Sequence, residues 1–397
     1  LGDAIGHARD GAAVCASQVQ LTASKLAELK DVSGFAGAFL ADGAVPREGA
    51  RQRFLPLAGT LQRLAEAGLD DFYRGDIART LAADLEAAGS PLRLGDLESY
   101  RAQRVAPLSL AIGGARLFNM PPPTQGVSSL AILGILDRLG RRDTCGAAFV
   151  HDAVEATKQA FLVRNATVFD PAYMEVEPAS LLSDQAISRM AAAVDRDRAA
   201  PWPQPAAPGD TIWMGAVDRE GRAVSFIQSI YWEFGSGVVS PATGVLWQNR
   251  GMSFSLDPAH ANRLAPGRLP FHTLNPAMAL FEDGRTMTYG TMGGEGQPQT
   301  QAAIFARYAW GGLGLQQAVT EPRWLLGRTW GADSTNLKLE ARFAPEVVEA
   351  LRGAGHDVEL VAAFSDTMGH AGAIVHHPDG LIEGATDPRS DGAVAAF

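Results

Sequence analysis

Four prolines in eight residues, Pro201, Pro203, Pro205 and Pro208, interrupt the chain near its middle. Proline lacks a backbone N–H and fixes φ, so residues 199–210 read as an extended, exposed connector that neither a helix nor a central strand can absorb. Directly behind it come two β-rich runs, Thr211 to Asp218 and Ala223 to Tyr231, parted by Arg219-Glu220-Gly221. A three-residue loop ending in glycine suits a type I turn with a bulge, which makes the pair a hairpin. If Asp218 faces Arg222, Thr211 falls directly opposite Ser229 and the two hydroxyls share a face. The connector therefore delivers the chain to a strand that begins on a threonine.

On either side of this point the periodicity alternates. Leu57, Leu61 and Leu64, with Gly68 as a stop, and Ile77, Leu81 and Leu85, with Gly89 as a stop, give two amphipathic helices between Arg53 and Arg104. Residues 117–126 read as a rigid loop after a short strand, Leu130 to Leu139 as a buried helix, and 147–164 as another helix leading to a turn at Asp170-Pro171. Strand signals at Ala242–Gln248, Met287–Thr291, Asn336–Glu340 and Ala371–His376 alternate with helices near 299–311 and 345–353. There is no internal repeat.

Composition excludes several classes. The 397 residues, 46% hydrophobic and 20% charged, belong to a folded chain of two or three domains or one large layered α/β domain. A net charge of −10 gives no basic field for nucleic acid or an anionic membrane. No apolar run is long enough to cross a bilayer, so the chain reads as soluble, with the cytoplasm as the default compartment. Cys15 and Cys145 are too few for a disulfide framework, lack CxxC spacing, and are expected to be small buried side chains. The chain opens Leu1-Gly2-Asp3 with neither an initiator methionine nor a signal-peptide n-region, and so reads as beginning inside something longer.

The common catalytic signatures fail: no GxSxG elbow, no Walker loop, no HExxH, and no GxGxxG between a strand and a helix. The eight histidines are scattered, and adjacent His376 and His377 would point to opposite faces of a strand, so no metal site is expected. Two features remain. The first is Gly209-Asp210-Thr211 behind the connector. A threonine hydroxyl needs a base, and a chain-terminal α-amine can serve, provided the 210–211 peptide bond is cut; the Thr211 hydroxyl can do this by attacking the preceding carbonyl. Ser229 would then hold the Thr211 rotamer. Without that cut, Thr211 is the first residue of a strand. The second is Tyr289 to Thr300, a strand running into Gly293-Gly294-Glu295-Gly296 and a helix. Glycines there leave N–H groups bare for a developing oxyanion, or form an ordinary turn.

From about Phe54 to Phe397 the chain resembles the γ-glutamyltransferase family of N-terminal-nucleophile hydrolases, in the branch of oxamate amidohydrolase and glutathione-hydrolase-like proteins. The runs that carry the resemblance include Met120-Pro121-Pro122-Pro123, Gly209-Asp210-Thr211, Phe226 to Tyr231, Phe234-Gly235-Ser236-Gly237, Trp247 to Gly251, Asn275 to Met278, Met292 to Gln299 and Asp387 to Gly392. The resemblance implies an α+β fold, a four-layer αββα sandwich. It also implies cleavage between Asp210 and Thr211 into a larger subunit 1–210 and a smaller one 211–397 that stay together as a heterodimer in one sandwich domain, with further oligomerisation open. Thr211 becomes the nucleophile with its own amine as base, Ser229 the second hydroxyl residue, and Gly293 and Gly294 the oxyanion hole. No metal or organic cofactor is implied.

The departures bear on substrate. Where typical γ-glutamyl enzymes receive the substrate's ammonium with a carboxylate and an amide, this sequence has Ser253 and Arg250. His272-Thr273 replaces the Ser-Ser pair that binds the α-carboxylate, and Tyr231 replaces an asparagine. Arg250, His272 and Thr273 suit a compact carboxylate without an amine, unless Arg250 turns into a structural ion pair. The family's carboxylate-clamping arginine lies upstream of residue 1; either the sequence is incomplete or that function is lost. The expected activity is hydrolysis of a small carboxylate-bearing amide such as oxamate. The alternatives are γ-glutamyl amides, glutathione among them, and a non-catalytic homologue.

Overall fold

The computed structural model describes all residues except 203–209 and 328–333, and omits the side chain of Asp210. Most of the proline-rich connector, including Pro203, Pro205, Pro208 and Gly209, therefore lies outside the described residues. The chain divides into two compact units, Leu1–Arg104 with Trp232–Asn249, and Val105–Tyr231 with Arg250–Phe397.

The first unit is helical. Both amphipathic patterns become helices, Leu55–Ala67 ending at Gly68 and Asp76–Ala87 burying Ile77, Leu81 and Leu85. The returning segment packs Phe234 edge-on against Phe35, ring centroids 5.2 Å apart. The strand expected at Ala242–Gln248 is not formed. A turn takes its place, with Gly244 N–H donating to Ser240 O and Ser240 N–H to Val245 O, and only an isolated Val239–Leu246 bridge remains. Gly244 has φ of +70°, and a Cβ there would fall 2.5 Å from the Leu57 nitrogen, so the β-propensity of its neighbours cannot prevail.

Both cysteines are exposed, which corrects the expectation of burial. Each is the residue immediately before a helix, Ala16–Leu29 for Cys15 and Gly146–Thr167 for Cys145, and that position lifts the side chain out of the core.

The second unit is built on a six-stranded antiparallel sheet in the order Ile382–Thr386, Ala371–His376, Thr286–Thr291, Ala277–Phe281, Ala115–Asn119, Leu108–Ile112. Helices Gly126–Leu139, Gly146–Thr167 and Gly296–Ala309 share its hydrophobic core; Met287 and Tyr289 belong to that core, with Tyr289 6.0 Å from the Phe305 ring. The strand Ala115–Asn119 extends past residue 117, so the expected loop begins three residues later, at Met120.

The hairpin forms as strands Asp210–Val217 and Ala223–Tyr231, with Asp218 N–H donating to Arg222 O and Gly221 at φ +80°. It lies against the sheet on the face opposite the helices, because alternate residues of a strand point to opposite sides. Thr288 and Gly290 face it, whereas Met287 and Tyr289 face the core. Trp213 is the contact: a Cβ on Gly290 would fall 2.1 Å from its Cδ1, and one on Gly372, which pairs with Gly290, 2.6 Å from its Cζ3. Helix layer, sheet and hairpin are three layers of the expected α+β αββα sandwich. The hairpin's outer side chains, Ile212, Met214, Val224 and Phe226, are exposed.

A buried ion network closes the C-terminal end of the unit. Arg389 donates to Glu340 at 2.6 Å and to Asp387 at 3.0 Å, Arg323 also pairs with Asp387, and all four side chains are almost fully buried. The Asp387-Pro388-Arg389 run thus has a structural use.

Candidate active site

The register expected for the hairpin holds from Val217–Ala223 back to Ile212–Gln228, then shifts: Asp210 pairs with Tyr231. The Ala223–Tyr231 strand has one extra residue there, so Thr211 does not face Ser229 one to one as expected. Bulges of this kind re-aim side chains next to functional sites. The Ser229 hydroxyl accepts from the Tyr231 N–H at 2.8 Å. Tyr231 itself has φ of +82°, a rare conformation for a bulky residue and a mark of strain.

Thr211 Oγ1 accepts from Gln297 Nε2 at 3.4 Å. Gln297 is fully buried in the first turn of helix Gly296–Ala309, and among the described residues its Oε1 has no hydrogen-bond partner. The helix is preceded by Gly293 at φ +123° and Gly294 at φ +51°, conformations that side chains rarely adopt. The glycine turn expected from the sequence is therefore present, next to the threonine.

The five residues singled out for substrate binding come together. The Arg250 guanidinium stacks 4.0 Å from the Tyr231 ring centroid and donates to the Ser253 hydroxyl at 3.3 Å and to the Thr273 hydroxyl at 3.2 Å. Arg250 is 4% exposed, and burial lowers its guanidinium to about 10, against a smaller opposing effect of Tyr231. It is still charged at neutral pH. Burial, then the Arg250 charge, lowers His272 to about 4, so this imidazole is neutral, and its buried Nδ1 has no hydrogen-bond partner among the described residues. The proline loop holds the His272-Thr273 segment in place: His272 N–H donates to Pro123 O at 2.8 Å.

Sequence reasoning missed the amides that tie these pieces together. Gln125, fully buried, donates from Nε2 to Thr273 O at 2.9 Å and to Gly294 O at 2.8 Å. Arg164 donates to Gln125 Oε1 at 3.0 Å and to Glu295 Oε1 at 2.5 Å. The available signal was the run of glutamines at 297, 299 and 301 on a helix; buried amides must find partners, but only the fold says which are buried.

Two histidines far apart in sequence do meet. Among the described residues, His151, Glu155 and His356 are a group with ligand atoms within 4.8 Å of one another. Their polar atoms are already engaged, His151 Nδ1 with His356 Nε2 at 2.8 Å and Glu155 with the buried Lys158 ammonium at 2.6 Å. The cluster also grips the segment leading to the connector, through His151 Nε2 to Asp195 O and Ala200 N–H to Glu155.

The fold thus sets a glycine turn beside Thr211, the second residue of the strand Asp210–Val217, and comparison with known proteins gives the class. The family Gamma-glutamyltranspeptidase matches residues 1–397, and the chain belongs to that family. It is 57% identical over 397 residues to the oxamate amidohydrolase proenzyme of Klebsiella pneumoniae subsp. pneumoniae, spanning 100% of this chain and 75% of that protein. It is 38% identical over 393 residues to the glutathione hydrolase-like YwrD proenzyme of Bacillus subtilis, spanning 98% and 75%. The crystal structure of cephalosporin acylase from Bacillus halodurans superposes with a TM-score of 0.90 at 32% identity, covering 100% of this chain and 74% of the other. The chain is a hydrolase of this family. Among the described residues, no helix is long and apolar enough to cross a membrane.

Proposed function

We propose that the chain is a self-processing amidohydrolase that acts on a small carboxylate-bearing amide, oxamate being the simplest. Cleavage between Asp210 and Thr211 releases the Thr211 α-amine and leaves subunits 1–210 and 211–397 associated as a heterodimer. The Thr211 hydroxyl then attacks the amide carbonyl while its proton passes to that amine. Gly293 and Gly294 N–H groups receive the oxyanion, and Ser229 and Gln297 orient the hydroxyl. The C–N bond breaks as the amine returns the proton to the leaving nitrogen, and water cleaves the threonyl ester. Oxamate would yield oxalate and ammonia.

The observation that carries this reading is the Arg250 cluster. A buried guanidinium stacked on Tyr231 and flanked by the Ser253 and Thr273 hydroxyls suits a carboxylate, through a forked, charge-assisted pair. It adjoins Thr211 because Tyr231 pairs with Asp210. The names of the two sequence relatives divide between an oxamate amidohydrolase and a glutathione hydrolase-like protein; the ammonium of a γ-glutamyl amide would meet the positive Arg250, which favours the former.

The test is denaturing intact-mass measurement of fresh protein, followed by ammonia release from oxamate and from glutamine. Two fragments meeting at 210–211, with oxamate preferred, are expected. A single intact chain with full activity would remove the α-amine from the mechanism, and a preference for glutamine, which carries an ammonium beside its carboxylate, would overturn the reading of Arg250 as selecting a substrate without an amine.

A further inference from the structure

Three buried groups, Thr273, Gly294 and Arg164, are joined through one side chain, Gln125, and Arg164 extends the chain to a fourth, Glu295. Gln125 lies at the end of the proline loop, immediately before helix Gly126–Leu139. Its two amide hydrogens are divided between two backbone carbonyls, Thr273 O at 2.9 Å and Gly294 O at 2.8 Å. Its Oε1 cannot be exchanged with Nε2, because Arg164 donates to it at 3.0 Å and a guanidinium only donates. Arg164 is in turn fixed by Glu295, the residue after Gly294. A second donor, the Gln297 N–H, reaches the same Gly294 carbonyl at 3.3 Å. Backbone bonds close the glycine turn, Gly296 N–H to Gly293 O at 2.7 Å among them, and Gln125 adds a side-chain anchor to two glycines that carry no side chains and have φ above +50°.

We propose that Gln125 is a positioning residue that couples the carboxylate seat at Thr273 to the oxyanion turn at Gly294, so that seating the substrate's carboxylate also aligns the N–H groups used in the transition state. The inference rests on the assignment of those two sites in the proposed function. An isolated oxyanion turn would serve any amide equally well. A turn tied to Thr273 serves best when Thr273 is held by a bound carboxylate, so the coupling contributes to kcat and to discrimination rather than to affinity alone.

The test uses the processed full chain with Gln125→Met, which keeps length and apolar bulk, and Gln125→Glu, which keeps the shape and the Arg164 pair but removes both donors. Intact mass gives the processed fraction, thermal unfolding gives fold integrity, and kcat and KM are measured on oxamate and on a neutral amide of the same size. Both variants are expected to lower kcat on oxamate about 10- to 100-fold with KM within about 3-fold, the scale set by misaligning an oxyanion donor. The ratio of oxamate to neutral-amide turnover should shrink by a similar factor. Unchanged kcat in either folded variant overturns the coupling, as does a rise in KM alone, which would leave Gln125 holding only Thr273. If Gln125→Met does not fold, Gln125→Glu carries the same comparison. Thr211→Ala in the same assay separates the two levels: turnover surviving there removes the underlying mechanism, whereas loss there with unchanged Gln125 variants removes only the coupling.

Discussion

Trp213 rests on Gly290, so closely that a Cβ on the glycine would fall 2.1 Å from the indole Cδ1. Its Nε1 donates to Ser225 on the facing strand at 2.9 Å, which locks the ring to the hairpin. Two residues before Trp213 stands Thr211, so the hairpin's seat on the sheet fixes where the nucleophile candidate lies. Gly290→Ala would force the ring away, at a cost of about 1–3 kcal/mol for an overpacked contact. The expected result is a lower melting temperature together with slower cleavage at 210–211, followed by intact mass over time. Wild-type processing in a folded variant would show that the seat does not govern Thr211.

Thr211→Ala removes the hydroxyl that both self-cleavage and catalysis require. It should give one uncleaved chain without amidase activity, whereas Thr211→Ser should cleave and retain measurable turnover. Fragments from the alanine variant meeting at the same bond would assign the cut to another agent.

Arg250→Gln removes a buried positive charge that donates to Ser253 and Thr273. Hydrogen bonds to charged groups contribute about 1.5–3 kcal/mol, so kcat/KM for oxamate should fall roughly 10- to 150-fold. Adding Ser253→Asp should shift preference toward γ-glutamyl amides. Turnover of both classes left untouched would mean that Arg250 does not meet substrate.

His272 gives a pH signature. Its folded value is lowered to about 4 by burial and the Arg250 charge, below an unfolded value of about 6.5. Between those limits the unfolded chain binds the extra proton, so this contribution to stability is complete above about pH 6.5 and declines as pH falls toward 4. His272→Gln should flatten that part of the melting-temperature profile. A profile identical to wild type would mean that His272 titrates normally.

The network of Arg389, Glu340, Asp387 and Arg323 should be costly to break. Arg389→Ala takes one cation from two buried carboxylates, leaving Asp387 to Arg323 and Glu340 to Arg342, and is expected to destabilise by about 3 kcal/mol, read by denaturant unfolding. Burial opposes ionisation of Asp387, but Arg323 and Arg389 outweigh it and hold the carboxyl below its ordinary value. Its contribution is therefore present above the ordinary carboxylate range and lost as acid protonates it, so wild type should lose stability in strong acid more steeply than Arg389→Ala.

Much of this molecule was legible in the sequence because local rules act over short distances. A glycine-ended loop fixed the hairpin register from Val217 back to Ile212. Apolar spacing marked the helices that became Leu55–Ala67, Asp76–Ala87, Gly126–Leu139 and Gly146–Thr167. Thr211, Ser229 and the Gly293-Gly294 turn were singled out from residue type and spacing, and Arg250 from the family resemblance. Ala242–Gln248 failed because a close approach to Leu57 imposed a turn on a β-prone run, and the cysteines failed because helix starts, not hydrophobicity, placed them.

What the sequence by itself determined is which residues have the right chemistry and which short segments carry them, since propensity, periodicity and turn geometry are properties of neighbours along the chain. Only the tertiary structure gave the contacts between them: the Arg250 stack on Tyr231, the Gln297 amide on Thr211, the His151–His356 pair, and Gln125 joining Thr273 to Gly294. The reason is physical. A buried polar group must find a partner, yet nothing in the local sequence says which distant carbonyl or hydroxyl the folding of the sheet will bring within 3 Å or so of it.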